Sequence, residues 1–402
     1  MSKAKQTCFY FCWAFFFGLI CSPADLLAQT SAGKGIKFGV SATLTGPASY
    51  LGWHDKNGTT LAAEEINERG GINLKGEKHK LELEFFDNET KPAKAVEGMR
   101  MFADKGTHVC AGPQLTPLVY AVMKFNEELK VLFGSYNTTP EVYEQGNKLI
   151  LSATMNQKWS IGLAAYTAAK VLNLKKAALL VDTTGYGRAV EKHFTMNFKK
   201  FGGEVIDVEW YELKSTDFYP QLTRLKAKNP ETLMFGGMSA EAVILIRQSR
   251  EILGKKVLLI GSDYFKMEQL KKAGLEVSEN TMIPLSGFHI IDSPARQSFY
   301  KKFQDRFGAE AETYGACAHD EVLWISRAME IAGTNKDAFK IRDAADQAMR
   351  ELEAQGLLIG GAHGGFLPNG QAKKYYIGTN ILRGGKLERL KMITDLKEIG
   401  LE

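Results

Sequence analysis

The stretch 36–71 constrains the fold of this 402-residue chain more than any other. It opens with IKFGVSA, in which apolar residues alternate with small or polar ones as in a short strand. A polar loop with a Thr-Gly-Pro turn follows, and residues 57–68 then carry apolar side chains at helical spacing. Strand, loop and helix predict the first βα unit of a doubly wound α/β domain. Such domains bind ligands at the carboxyl ends of their strands, so the loop 43–53 is the first candidate site.

The alternation of strands and helices continues along the chain and predicts parallel sheets. It pauses near Thr154, restarts with a long helix, and changes past Asn280 into a block of helices followed by two strands around Gly384-Gly385. A chain of this length exceeds what one hydrophobic core usually organises. The sequence therefore predicts two α/β domains, and the helical block indicates that the chain returns to the first domain and crosses again.

The N-terminal segment predicts export of the protein. Two lysines precede the apolar run 9–20, which is too short to span a bilayer but is typical of a secretory signal. We expect residues 1–28 to be a signal peptide that is cleaved after Ala28, which gives a periplasmic mature chain. A lipoprotein modified at Cys21 is the alternative, and the bulky Ile20 before the cysteine disfavours it.

The cysteines and the net charge give little information about partners. Cys110 and Cys317 are the cysteines that follow the expected signal peptide. They can pair in an oxidising compartment, but spacing in sequence says nothing of distance, and we favour two buried free thiols. The net charge of +5 is mild for 402 residues and gives no argument for a nucleic-acid partner.

Signals of catalysis or of cofactor binding are weak. The seven histidines form no His-Glu-x-x-His pair, and there is no Gly-x-Ser-x-Gly elbow or phosphate-binding Gly-x-x-x-x-Gly-Lys loop. Gly185-Tyr186-Gly187 lacks the third glycine of a dinucleotide fingerprint. The triplet His319-Asp320-Glu321 looks catalytic, but adjacent residues of a helix point apart, so we interpret it as a helix surface. We therefore expect no catalytic residue, no cofactor and no metal.

A set of segments, taken in order, resembles the leucine/isoleucine/valine-binding protein family, the periplasmic binding proteins of ABC transporters. The segments are IKFGVSATLTGPASYLG, LAAEEINERGGI, FFDNETKPAKAVE, AGPQLT, TGYGRA, STDFYPQLTRLK, FGGMSAEAVILIRQSRE, YGACAHDEVLWISRAMEIA and GGFLPNGQ. The resemblance implies the type I fold, which has two doubly wound parallel-sheet lobes joined by a three-strand hinge and a ligand held between them. It places lobe one at 36–155 and 287–355, and lobe two at 156–286 and 356–402.

The resemblance also implies ligand-binding residues. Thr116 falls where the family has a serine that binds the ligand carboxylate, and Thr138 matches a threonine that contacts both amine and carboxylate. Tyr186 matches a tyrosine of the second lobe, and Asp263 falls where a glutamate meets the ligand ammonium. Independently of the family, a buried zwitterion needs both charges paired, and strand-end loops with hydroxyl groups and an acid supply such partners. From the residues alone, a threonine there is more often a helix cap and an acid is often a solvated loop residue.

Two positions depart from the family and leave the specificity for the ligand side chain open. Leu51 stands where an aromatic residue is usual, with Tyr50 beside it, and Met238 replaces a tyrosine. Trp53 is a further candidate for the wall of the site, and the other aromatic residues near strand-end loops are Tyr136, Tyr186 and Phe265.

These observations predict an extracytoplasmic solute-binding protein of the branched-chain amino-acid type. It would capture an amino acid or a related small carboxylate between closing lobes and deliver it to an ABC transporter permease, as a monomer with no nucleic-acid partner. The alternatives are a binding protein for aromatic acids or amides and a ligand-sensing subunit of a signalling system. An exported hydrolase on the same fold would need a nucleophile–base pair that the sequence does not offer.

Overall fold

The structure, a computed structural model, describes residues 35–152 and 154–401. The strands are β1 (Ile36–Ala42), β2 (Ile72–Leu74), β3 (Glu77–His79), β4 (Leu81–Asp87), β5 (Val109–Ala111), β6 (Leu132–Gly134), β7 (Ile150–Leu151), β8 (Lys176–Asp182), β9 (Glu204–Tyr211), β10 (Thr232–Gly236), β11 (Leu258–Ile260), β12 (Thr281–Ser286), β13 (Ala362–Phe366), β14 (Ala372–Tyr375), β15 (Ile377–Arg383) and β16 (Lys386–Ile393).

The helices complete both lobes. They are α1 (Ser49–Glu68), α2 (Pro92–Asp104), α3 (Thr116–Met123), α4 (Asn126–Leu129), α5 (Pro140–Tyr143), α6 (Gln157–Tyr166, continued by the π-helix Thr167–Val171), α7 (Gly185–Lys200), α8 (Tyr219–Lys226), α9 (Ser239–Leu253), α10 (Met267–Ala273), α11 (Gly287–Ile290), α12 (Pro294–Phe307), α13 (Thr313–Ala332) and α14 (Ala338–Ala354), and a 3₁₀ turn spans Leu396–Ile399.

The first sheet has five parallel strands in the order β4-β1-β5-β6-β7. Strand β1 lies between β4 and β5, and its alternating apolar residues are buried, as the sequence predicts. Helix α1 packs on this sheet and against α13, with which it shares the most extensive helix contact of the lobe. A Cβ atom on Gly58 of α1 would lie 2.1 Å from the carbonyl oxygen of Gly315, so this close approach requires glycine. The approach fixes where α13 begins, next to the strand-end loops.

The second sheet has seven strands in the order β16-β15-β12-β11-β10-β8-β9. Strands β8 to β12 are parallel, and β15 and β16 form an antiparallel hairpin at one edge, with Gly384-Gly385 at its turn. Each sheet therefore has the parallel βα core that the sequence predicts, and the α/β fold class with two lobes is confirmed.

The chain passes between the sheets three times: after β7, after β12 and between β14 and β15. The hairpin β13–β14 packs against α14, and Gln371 forms a parallel bridge with Ser152. The hairpin therefore lies beside the first sheet, although the expected limits assign all of 356–402 to lobe two. The domain limits stay a prediction.

The interpretation of His319-Asp320-Glu321 as a helix surface is wrong. Helix α13 packs against α1 on one side and α14 on another, and it also contacts β5, so even its polar positions are covered. His319, Asp320 and Glu321 are 2%, 1% and 0% exposed. The predicted free thiols are confirmed, since Cys110 in β5 and Cys317 in α13 are buried and unpaired with each other.

The expected signal peptide and its cleavage after Ala28 lie outside the described residues. Within the part of the chain that the structure describes, no helix combines the length and the apolar character needed to cross a membrane.

Candidate functional site

The loops that follow the parallel strands of the two sheets meet each other. A Cβ atom on Gly185, at the start of α7, would lie 3.5 Å from Cγ2 of Thr116, at the start of α3. Met238, which follows β10 of the second sheet, packs against the hydrophobic core of the first lobe. The strand-end loops of the two lobes therefore meet in one region, which we call the shared space.

Asp263 is a buried acid in this space. The turn after β11 positions it, because the Ser262 hydroxyl donates to the Gly237 carbonyl at 3.0 Å and the Asp263 N–H donates to Tyr186 Oη at 3.2 Å. Asp263 is 5% exposed, and neither oxygen of its carboxylate hydrogen-bonds to a described residue. Burial raises its pKa, and the nearby Ser160 hydroxyl, the charge of Lys266 and the Thr138 hydroxyl oppose that shift. Thr138 belongs to the first lobe, so the structure brings Thr138, Tyr186 and Asp263 together across the lobes.

The cap of α7 sets the position of Tyr186. The Thr184 hydroxyl accepts hydrogen bonds from the backbone N–H groups of Tyr186 and Gly187 at 3.2 and 3.4 Å, and in turn donates to Asp182. This cap holds Tyr186 at the second residue of the helix, 2% exposed. The predicted tyrosine therefore stands on a fixed helix terminus rather than on a free loop.

Thr116 is the first residue of α3 and belongs to a hydroxyl–amide network. Its Oγ1 lies 2.9 Å from Oγ1 of Thr139 and accepts a hydrogen bond from Nδ2 of Asn137 at 3.0 Å. Asn137 also accepts from the Thr139 N–H through Oδ1. Because either threonine hydroxyl can be the donor of the pair, Thr116 can turn its own proton toward an added acceptor. This is the chemistry that a ligand carboxylate requires.

Tyrosine rings from both lobes line the shared space. The ring centroids of Tyr264 and Tyr314 are 6.3 Å apart across the lobes, and Tyr264 also contacts Tyr186 at 4.8 Å. Within the first lobe, Tyr314 contacts Tyr50 at 6.2 Å and Tyr136 at 5.8 Å. Tyr50 and Tyr186, which the sequence analysis proposed for the wall, lie among these rings, and their role in binding stays a prediction. Tyr264 and Tyr314 were not proposed from the sequence.

Leu51 and Trp53, the other predicted residues of α1, lie in different surroundings. Leu51 is buried in the core of the first lobe, in the same apolar cluster as Tyr314. Trp53 is 37% exposed, and its ring contacts His54 and the α12 side chains Phe303 and Phe307. The described ring contacts of Trp53 include no tyrosine of the shared space. The structure therefore does not place Trp53 with the other candidates, because that face of α1 packs on α12.

Two buried acids of the first lobe lie behind this wall. Asp55 accepts a hydrogen bond from Tyr136 Oη at 2.7 Å, and burial raises its pKa from 3.8 to about 8. Glu321 accepts from Nε2 of Gln114 at 3.2 Å, and its pKa rises through burial and the charge of Asp55. Gln114 also accepts from the Tyr136 N–H at 2.7 Å, so this network fixes the loop that carries Thr138.

An ion pair joins the lobes beside the shared space. Glu141 of α5 lies 2.7 Å from the Lys192 ammonium of α7 and 3.5 Å from Nε2 of His193. The contacts with His193 and Lys192 outweigh partial burial and lower the pKa of Glu141 to about 2. These contacts therefore link the first lobe to the second in this structure.

In residues 35–152 and 154–401, no group of three or more His, Cys, Asp and Glu side chains is arranged to hold a metal ion.

The sequence profile of the family described as "Periplasmic binding protein" matches residues 35–386. The chain belongs to the periplasmic binding protein family. The resemblance that the sequence analysis identified is therefore confirmed.

Named relatives resemble the chain over most of its length. The Leu/Ile/Val-binding protein homolog 3 of Brucella melitensis is 26% identical over 310 residues, which cover 77% of this chain and 82% of that protein. An amino acid binding protein of Pseudomonas aeruginosa is 29% identical over 311 residues, with the same coverage of 77% and 82%. The crystal structure of LivJ from Streptococcus pneumoniae in complex with isoleucine superposes with a TM-score of 0.78 at 23% identity and covers 90% of this chain and 99% of that one.

Sequence reasoning missed several residues that the fold of this periplasmic binding protein places near the site. Tyr314 and Glu312 come from the start of α13, a helix that returns from a distant part of the sequence. Tyr264 and Lys266 lie one and three positions after Asp263, but the sequence does not show that they pack against the other lobe. No sequence signal marks Asp55 as buried, because it is a charged residue in a helix that also carries exposed acids.

Proposed function

We propose that this periplasmic binding protein captures an amino acid between its lobes and delivers it to an ABC transporter permease. The observation that carries the proposal is the buried Asp263 carboxylate, which has no hydrogen bond to a described residue and faces Thr138 of the other lobe. A ligand ammonium would pair with this acid, because an unpaired buried charge is costly. The hydroxyl groups of Thr116 and Thr138 would then receive the ligand carboxylate.

The relatives support this ligand class, since they include Leu/Ile/Val-binding proteins and a structure with bound isoleucine. The same proposal assigns the chain to the periplasm as a monomer that binds its solute without turnover. Closure on the ligand presents a surface composed of both lobes to the permease.

A thermal-shift panel tests the proposal. It should contain amino acids and, for each, the matched acid that lacks the amino group. An amino acid at a hundredfold excess over its Kd should stabilise the protein by about 2.7 kcal/mol, and the matched acid should stabilise it less. Asp263→Ala should remove the difference between the two, while Asp305→Ala, at an exposed acid of α12, should leave it unchanged.

The outcome that contradicts the proposal is a protein that responds to neutral compounds alone, or that responds equally to amino acids and to the acids without an amino group. Equal loss of both responses in Asp263→Ala would assign Asp263 a structural role.

A second candidate is a binding protein for aromatic acids. The tyrosines of both lobes favour it, because Tyr50, Tyr186, Tyr264 and Tyr314 offer ring faces and edges to a planar ligand. Aromatic carboxylates without an amino group belong in the same panel. A response to these alone, unaffected by Asp263→Ala, would select this candidate over the amino acid.

A further inference from the structure

Lys266 is a buried cation at the edge of the shared space. It is the N-cap residue of α10, three positions after Asp263, and it is 3% exposed. Its ammonium lies 5.8 Å from the centroid of the Tyr314 ring, which belongs to the other lobe. Among the described residues, none of the ion pairs includes Lys266. A buried ammonium without a paired anion is costly, so this position favours a negatively charged partner.

The two acids nearest to Lys266 have other partners or other roles. Glu312 lies 3.2 Å from Nε2 of His289, and that contact, with the charges of His289 and Lys266, outweighs burial and lowers the Glu312 pKa. Asp263 is the acid that the proposed function assigns to the ligand ammonium. The charges of Glu312 and Asp263 act on Lys266 from a distance, and burial still lowers the Lys266 pKa overall. If Glu312 pairs with His289 and Asp263 pairs with the ligand ammonium, Lys266 has no anionic partner among the described residues.

Space for a ligand group exists beside Lys266. A cavity of about 370 Å³ reaches it between elements of the two lobes. The basic residues that line this cavity are Lys266, His289 and Arg296, and the acids are Glu310 and Glu312. A ligand group that fills this cavity would contact Lys266. Lys266 is also close enough to Asp263 for its charge to oppose the rise in the Asp263 pKa.

We infer that the solute carries a second carboxylate, as an acidic amino acid does, and that Lys266 binds it. The inference rests on the proposed function, which places the ammonium of the ligand at Asp263 and its first carboxylate at the threonines. The opposite charges at positions 263 and 266 of one turn then match the ammonium and the distal carboxylate of one molecule. An aliphatic ligand would leave Lys266 buried and unpaired in the closed protein, so the site selects against leucine.

Calorimetric titration with glutamate and with leucine tests the inference, using the whole protein and two matched lysine variants. Wild type should bind glutamate at least tenfold more tightly than leucine. Lys266→Met, which keeps the length of the side chain and removes its charge, should weaken glutamate binding at least tenfold and leave leucine binding unchanged or tighter. Lys271→Met removes an exposed lysine of the same helix and should bind both ligands like wild type.

Lys266→Arg is a control for damage to the fold. It keeps the positive charge and should therefore keep the preference for glutamate. The inference is overturned if wild type binds leucine as tightly as glutamate, or if Lys266→Met and Lys271→Met bind glutamate equally. In either case binding of leucine leaves the proposed function standing. If wild type binds neither glutamate nor leucine, the inference fails, and the thermal-shift panel of amino acids decides the proposed function separately.

Discussion

At the scale of single residues, Asp55 shows how burial sets a protonation state. It is 2% exposed within α1 and accepts one hydrogen bond, from Tyr136 Oη at 2.7 Å. Burial raises its pKa from 3.8 to about 8. Between these values the folded protein holds a proton that the unfolded chain has released, so this residue makes the folded state less stable as the pH rises. This destabilisation of the folded state reaches its full size above about pH 8 and is absent below about pH 4.

Asp55→Asn removes this titration without a large change of shape. We expect the free energy of unfolding of Asp55→Asn, relative to wild type, to rise by at least about 1 kcal/mol between about pH 5 and about pH 8. Urea unfolding followed by circular dichroism measures it, with Asp343→Asn on the exposed face of α14 as the control. A difference that stays constant with pH, as expected for the control, would show that Asp55 does not titrate in this range.

The limits of sequence reasoning are clearest for charged residues. Thr138, Tyr186 and Asp263 could be proposed from the sequence because they follow strands and match a family pattern. Lys266 and Asp55 could not, because a charged side chain is exposed by default and only the packing of distant segments buries it. The spacing of residues along a strand or helix carries no information about that packing.

At the scale of elements, helix α13 holds the segment that leads to the third crossing between the lobes. Oδ2 of Asp320 accepts hydrogen bonds from the backbone N–H groups of Ile359 and Gly360 at 3.0 and 2.7 Å. Oδ1 lies 3.3 Å from Nδ1 of His319, whose Nε2 lies 3.2 Å from Glu65 of α1. A chain of polar contacts thus ties α1, α13 and this segment together inside the first lobe.

Asp320→Asn should loosen this anchor. The amide NH₂ group cannot accept from the Ile359 N–H, which also lies 3.2 Å from Oδ1. The neutral amide oxygen in place of Oδ2 also accepts weaker hydrogen bonds than a carboxylate. We expect a loss of about 1–3 kcal/mol in the free energy of unfolding, measured by urea unfolding. Asp343→Asn again serves as the matched control. Equal stability of the two variants would contradict the role of Asp320 as the anchor.

Elements were easier to predict from the sequence than their surroundings. Periodicity and turn residues predict the strand β1, residues 57–68 of the helix α1 and the hairpin of β15 and β16 around Gly384-Gly385. The helix begins earlier than predicted, at Ser49, so part of the expected loop 43–53 is helical. The buried polar face of α13 does not, because the rule that adjacent helix residues point apart assumes that one side meets solvent. Here α1, α14 and β5 cover the helix from several directions.

At the scale of the whole molecule, closure of the lobes is the central claim. The stacked rings of Tyr264 and Tyr314 and the ion pair of Glu141 with Lys192 each join one lobe to the other. Periodicity predicts two domains but not how they face each other. The ligand cleft between them was therefore inferred from the resemblance to a family. A ligand that contacts both lobes favours the closed state by its difference in affinity for the two states.

Distances between spin labels on the two lobes test this claim most directly. Gln145→Cys after α5 and Met196→Cys on α7 are exposed positions on opposite lobes, and the native thiols at Cys110 and Cys317 are buried. In the chain without residues 1–28, an amino acid that stabilises the protein should narrow the distance distribution and shorten its mean by more than about 2 Å. The same labels in Asp263→Ala should not respond. Saturation with an amino acid that leaves the wild-type distribution unchanged would contradict binding by closure of the lobes.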